Sequence, residues 1–131
     1  MNYFVSAPTE TDWRMTPGEF LGHLTARWPH ATVRQLPYPF SYAWEIPMQD
    51  RHLGGDFYGD YSGVAFEGAF EDCAGFAVWF RSLVPAQQPL VFYDECVSFE
   101  VELKPETTVT DIVAAVQVKG RSNRNNICGF R

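Results

Sequence analysis

The order of periodicities along the chain predicts a two-layer α+β domain, with about three helices laid on a mostly antiparallel sheet. Segments alternating with period two run from Ala31 to Glu67 and again from Leu90 to Leu103, while three segments repeat at helical spacing around Phe20, Phe76 and Ile112. The 131 residues, 46% of them apolar, suffice for one core and would starve two, so residues 1–131 read as a single domain.

Tyr3-Phe4-Val5 reads as a first short strand. Thr16-Pro17-Gly18-Glu19 then starts a helix, because a Thr cap, Pro at the first helical position and Glu three residues after the cap satisfy the orphan donors of a first turn. Phe20, Leu21, Leu24 and Trp28 share one face, and Pro29 ends the run. Strands follow at Ala31–Leu36, Tyr42–Ile46, Leu53–Tyr58 and Gly63–Glu67, the last two joined through Gly59-Asp60-Tyr61-Ser62 as a hairpin. The central amphipathic helix spans 71–84, with Cys73, Phe76, Ala77, Phe80 and Val84 on its apolar stripe, acids in its first turn and Pro85 at its end. Trp79 lies off that stripe and is expected to be half exposed, as a core-edge packer or an interface residue. Leu90–Tyr93 is a buried strand, and Phe99, Val101 and Leu103 alternate with Ser98, Glu100 and Glu102, which puts the carboxylates on the solvent side. Val109, Ile112, Val113 and Val116 mark a third helix over Thr108–Val116. The basic tail, 119–131, has no periodicity and reads as a loop or weak edge strand.

Cys73, Cys96 and Cys128 are widely spaced, with no C-x-x-C pattern and no nearby His, so the expectation is three reduced thiols packed as small apolar residues. Met1 to Pro8 lacks a basic region followed by an apolar stretch, and no apolar run approaches the roughly 20 residues of a membrane span. A cytoplasmic protein with no membrane partner is expected.

The net charge of −6 is unevenly placed. Met1 to Val118 carries all 16 acids and six bases, a balance of −10, whereas Lys119 to Arg131 carries four bases and no acid. An acidic body repels phosphate backbones, and four cations make a thin footprint, so nucleic acid is not an expected partner. Such a body suits a basic macromolecule, since complementary potentials speed encounter and select partners.

Catalytic motifs are weak. In Gly59-Asp60-Tyr61-Ser62-Gly63 the serine stands one place late for a nucleophile elbow and falls between strands. Leu53-Gly54-Gly55-Asp56 lacks the further glycines and helix of a phosphate loop. No calcium-loop spacing surrounds Asp50, Asp56 and Asp60, and no cofactor or metal is called for. What stands out is acid interleaved with aromatics: Asp56-Phe57-Tyr58-Gly59-Asp60-Tyr61, and again Phe92-Tyr93-Asp94-Glu95. Between Glu45 and Asp72 seven acids face only Arg51. Rings that anchor beside carboxylates that meet Lys or Arg make a protein-binding hot spot. Asp56, Tyr58, Asp60, Tyr61, Tyr93, Asp94 and Glu95 are therefore the candidate partner-binding residues, with Phe57 and Phe92 assigned to the core.

The stretch from Phe70 to Pro85, FEDCAGFAVWFRSLVP, followed by Gln88-Pro89-Leu90-Val91-Phe92-Tyr93-Asp94-Glu95, resembles bacterial immunity proteins encoded beside secreted interbacterial toxins, including type VI effectors. The resemblance covers roughly residues 64 to 112. It implies a cytoplasmic protein that binds a cognate toxin and blocks its active site; the acidic body adds the expectation that the toxin's active-site cleft is basic, and the weak motifs that the chain itself is not an enzyme. The alternative from another class is a small-molecule-binding or enzymatic domain with a pocket lined by Trp44, Phe57, Tyr93 and Glu95.

Overall fold

The computed structural model describes residues 2–8, 13–37, 42–57 and 63–122. Its elements follow the order β1 (Asn2–Ser6), α1 (Pro17–Arg27), β2 (Thr32–Gln35), β3 (Tyr42–Met48), β4 (Arg51–Phe57), β5 (Gly63–Glu67), α2 (Phe70–Ser82), β6 (Val91–Asp94), β7 (Glu100–Glu102) and α3 (Val109–Ser122). The fold is α+β, and every neighbouring pair in the seven-stranded sheet is antiparallel. The strand order is β2-β3-β4-β5-β1-β6-β7, so the first strand is threaded into the interior of the sheet.

Alternation along each strand sends one set of side chains under the helices. Val5, Trp44, Ile46, Leu53, Phe57, Val64, Phe66 and Phe92 are buried there, and α1 and α2 supply Phe20, Leu24, Cys73, Phe76, Ala77 and Phe80. Flat ring contacts fill the space between layers: Trp44 stacks on Phe76 at 4.6 Å between centroids, and Phe57 on Phe20 at 4.7 Å. Gly55 sits under these rings because nothing larger fits. A Cβ there would lie 2.0 Å from the Ala65 carbonyl oxygen and 2.8 Å from the Phe66 Cβ. Trp79 packs at the core edge, 4.8 Å from Trp28 and 5.2 Å from Phe76, and so joins α1 to α2.

The start of α1 follows its sequence signal. Thr16 Oγ1 accepts from the Glu19 N–H at 3.1 Å, and Glu19 Oε1 accepts from the Thr16 N–H at 3.0 Å. Thr108 and Asp111 repeat the arrangement at α3, at 3.1 and 3.0 Å.

Three sequence expectations change. β3 runs through Pro47 to Met48 instead of stopping at Ile46. β2 ends opposite Glu45, so Pro47 has no neighbour on that side and its missing N–H removes no ladder bond. α3 continues through Lys119 to Ser122, into the tail expected to be a loop or strand; residues 123–131 lie outside the described residues. Cys96, finally, is disulfide-bonded, so the expectation of three reduced thiols fails there. Cys73 matches it: a fully buried free thiol whose pKa burial, with Asp72 adding, pushes up to about 12, which leaves it inert, and Cys128 lies outside the described residues.

Candidate functional site

The helices cover one face of the sheet, and the strand residues of opposite parity form the other. On β3, β4 and β5 this second face is built from the same local unit, a small residue, an inward residue, then an acid: Ala43-Trp44-Glu45, Gly54-Gly55-Asp56, Ala65-Phe66-Glu67. Antiparallel register turns the three units into a checkerboard. One cross-strand row reads Thr32, Glu45, Gly54, Glu67, Asn2, and the next reads Arg34, Ala43, Asp56, Ala65, Phe4, Tyr93. Each acid therefore has small residues as its direct neighbours on β3 to β5, and Asp56 lies on the diagonal from both Glu45 and Glu67, at roughly 7–8 Å.

Small residues at alternate positions hollow out this face. A groove of about 680 Å³ results, floored by Ala43, Gly54 and Ala65 and walled by Phe4, Arg34, Glu45, Asp56 and Glu67. A Cβ on Gly54 would lie 3.0 Å from the Trp44 carbonyl oxygen and 3.6 Å from Glu45 Cγ, so any larger residue would crowd the floor. Arg34 is the one Arg or Lys among the described lining residues. Burial lifts the Asp56 carboxyl above the ordinary carboxylate value, an effect that Arg34 opposes and Glu67 adds to. Among the described residues no group of three His, Cys, Asp or Glu is placed to hold a metal ion.

The sequence-predicted residues divide. Asp56 lies in the groove. Tyr93 shares its face; its ring stacks on Phe4 at 5.3 Å with 20° between planes, and its hydroxyl is 3.1 Å from Ser6 Oγ. Glu95 is exposed just beyond β6, where Oε1 accepts from the Asn2 N–H at 3.1 Å. Asp94 is a correction. One position of strand alternation turns it to the helix side, where it is 4% exposed and accepts from the N–H of Ser98 at 2.8 Å and from the Ser98 hydroxyl. It clamps the turn between β6 and β7 and presents nothing to a partner. Tyr58, Asp60 and Tyr61 lie outside the described residues.

The same parity breaks up the alternative pocket. Trp44 and Phe57 are buried among Phe20 and Phe76, while Tyr93 and Glu95 stand on the opposite side of the sheet, so the four line no common cavity. The excess of acid between Glu45 and Asp72 is also smaller than the sequence suggests. Arg51 grips Asp72 with two donors, Nε to Oδ2 at 2.5 Å and Nη2 to Oδ1 at 3.1 Å, tying β4 to the first turn of α2.

Sequence reasoning missed Phe4, Arg34, Glu45 and Glu67 as site residues. The repeated small-x-acid unit was the available signal, and its meaning depends on register.

No helix among the described residues is long and apolar enough to cross a membrane. Comparison with known proteins finds no matching family model, no matching curated protein and no matching solved structure.

Proposed function

We propose that this chain is an immunity protein, which binds a cognate protein toxin through the helix-free face of its sheet and so blocks the toxin's active site. The observation that carries the reading is the checkerboard of Glu45, Asp56 and Glu67 around a floor of Ala43, Gly54 and Ala65. Carboxylates held this close repel one another, and a basic surface seated in the groove offsets that repulsion. The same potential turns phosphate backbones away. Three small residues give a partner's side chains room to descend to the floor, which a merely solvated acidic face would not need. The groove is a binding surface, and the protein's action is occlusion of the partner, not chemistry of its own.

The test is neutralisation in cells. Co-expressed with the toxin encoded beside its gene, the native protein restores growth, and Glu45→Lys combined with Glu67→Lys loses that protection. Both carboxylates are exposed, so folding stability should change by no more than about 1 kcal/mol. Full protection by the folded double variant would remove this face from consideration.

The Cys96 disulfide stands against action in the cytoplasm, the compartment the sequence suggests, because reducing compartments keep thiols unpaired. A membrane-permeant alkylating agent applied to intact cells should leave Cys96 unlabelled until reductant is added, while buried Cys73 stays unlabelled in the native fold. Labelling of Cys96 without reductant would place the protein in a reducing compartment instead.

A further inference from the structure

We propose that the notch above Ala65, between the Phe4 ring and the carboxylates of Asp56 and Glu67, receives an arginine side chain of the protein partner. The proposal rests on the docking reading above and names the chemistry of its anchor.

Three observations converge on the notch. Ala65 stands between Asp56 on β4 and Phe4 on β1 in the same cross-strand row, so two strand spacings, roughly 10 Å, separate the larger side chains across a methyl floor. The Phe4 ring is preset. Tyr93 stacks on it at 5.3 Å from the β6 side, and Ser6 in turn holds the Tyr93 hydroxyl at 3.1 Å, which leaves the β5 side of Phe4 to the groove it lines. The notch is anionic on two sides: Asp56 on β4 stands across Ala65 from Phe4, and Glu67 stands two residues from Ala65 on β5, at one end of the notch.

A guanidinium fits this combination better than any other cation. It is planar and weakly hydrated, so it stacks on a ring face, and its fork of donors meets carboxylates in pairs. An ammonium is compact and strongly hydrated; it gains from the carboxylates but little from the ring. Among the described residues no three His, Cys, Asp or Glu side chains are grouped there to hold a metal ion. Arg34, on the far side of Ala43 from Asp56, faces that carboxylate from the other direction and leaves the notch over Ala65 open.

The experiment titrates the isotope-labelled full chain with N-acetyl-arginine methylamide and, separately, with the lysine counterpart, following backbone amide shifts. Saturable shifts at Phe4, Asp56, Ala65 and Glu67 are expected, with the arginine probe binding at least about threefold more tightly than the lysine probe. Phe4→Leu should erase that preference while leaving both probes bound, and Ala65→Leu should abolish the shifts by filling the notch. Equal affinity for the two probes, shifts spread over all exposed acids, or no saturable shift would each overturn the proposal, as would undiminished arginine binding in a folded Ala65→Leu variant. If the probes show no preference while the Glu45/Glu67 reversal still abolishes protection, the arginine notch falls and the docking surface stands. If the reversal leaves protection intact, the docking surface falls whatever the probes do.

Discussion

Phe76→Ala should lower the unfolding free energy by about 3–5 kcal/mol, the usual cost of deleting a buried Phe. Phe76 is 1% exposed at the point where both helices meet the sheet. Its ring stacks on Trp44 at 4.6 Å, tilts against Phe66 at 4.8 Å and Trp79 at 5.2 Å, and reaches Trp28 at 5.9 Å. Four large rings around one site cannot collapse into the space a single ring leaves, because each is held by further contacts of its own. The cost should therefore fall at the upper end of that range. Chemical denaturation followed by tryptophan fluorescence measures it, and the signal is direct because three of the neighbours are tryptophans. A loss below about 1 kcal/mol would mean that this is not the centre of the core.

Arg81→Ala should cost about 3 kcal/mol, although nothing about an arginine near a helix end announces it. Arg81 is 3% exposed, and its guanidinium donates to the carbonyls of Gln88 at 2.7 Å, Pro85 at 2.5 Å and Val84 at 3.5 Å. It gathers the chain that leaves α2 and aims it into β6. Burial pulls its pKa below the ordinary arginine value, yet the group keeps its charge and its carbonyl partners offset its lost hydration. Arg81→Lys should recover only part of the loss, because an ammonium cannot span three carbonyls set around a planar fork. Arg81→Met should restore packing and still melt below the native protein. Thermal unfolding of the three variants separates the two contributions, and equal stability of the Lys variant and the native chain would contradict the account.

Much of the architecture is legible in the sequence for a physical reason: each element declares its period and most declare their ends. The Thr16 cap, Pro85 after α2 and the alternation of Phe99, Val101 and Leu103 are local signals, and the structure uses them as local signals. Pro47 misleads because its tolerance depends on where β2 (Thr32–Gln35) begins, which no window around Pro47 contains. The site is less legible for the same kind of reason. Asp94 and Glu95 are adjacent and both acidic, and only the pairing of β6 with β1 decides that one clamps a turn while the other faces solvent. The acids that do share the groove come from three strands, each carrying the same small-x-acid unit. Their convergence is a property of register, which no window along the chain contains.

If a basic partner occupies the acidic, helix-free face as proposed, the rate of association with the toxin reads it most directly. For the native protein that rate should fall steeply as salt is raised from about 0.05 to 0.5 M, since the Debye length, near 10 Å at 0.1 M, shortens across that range and screens the attraction. The Glu45→Lys, Glu67→Lys variant should associate slowly at every salt concentration. Equal rates for the two proteins, unaffected by salt, would show that the partner approaches from elsewhere.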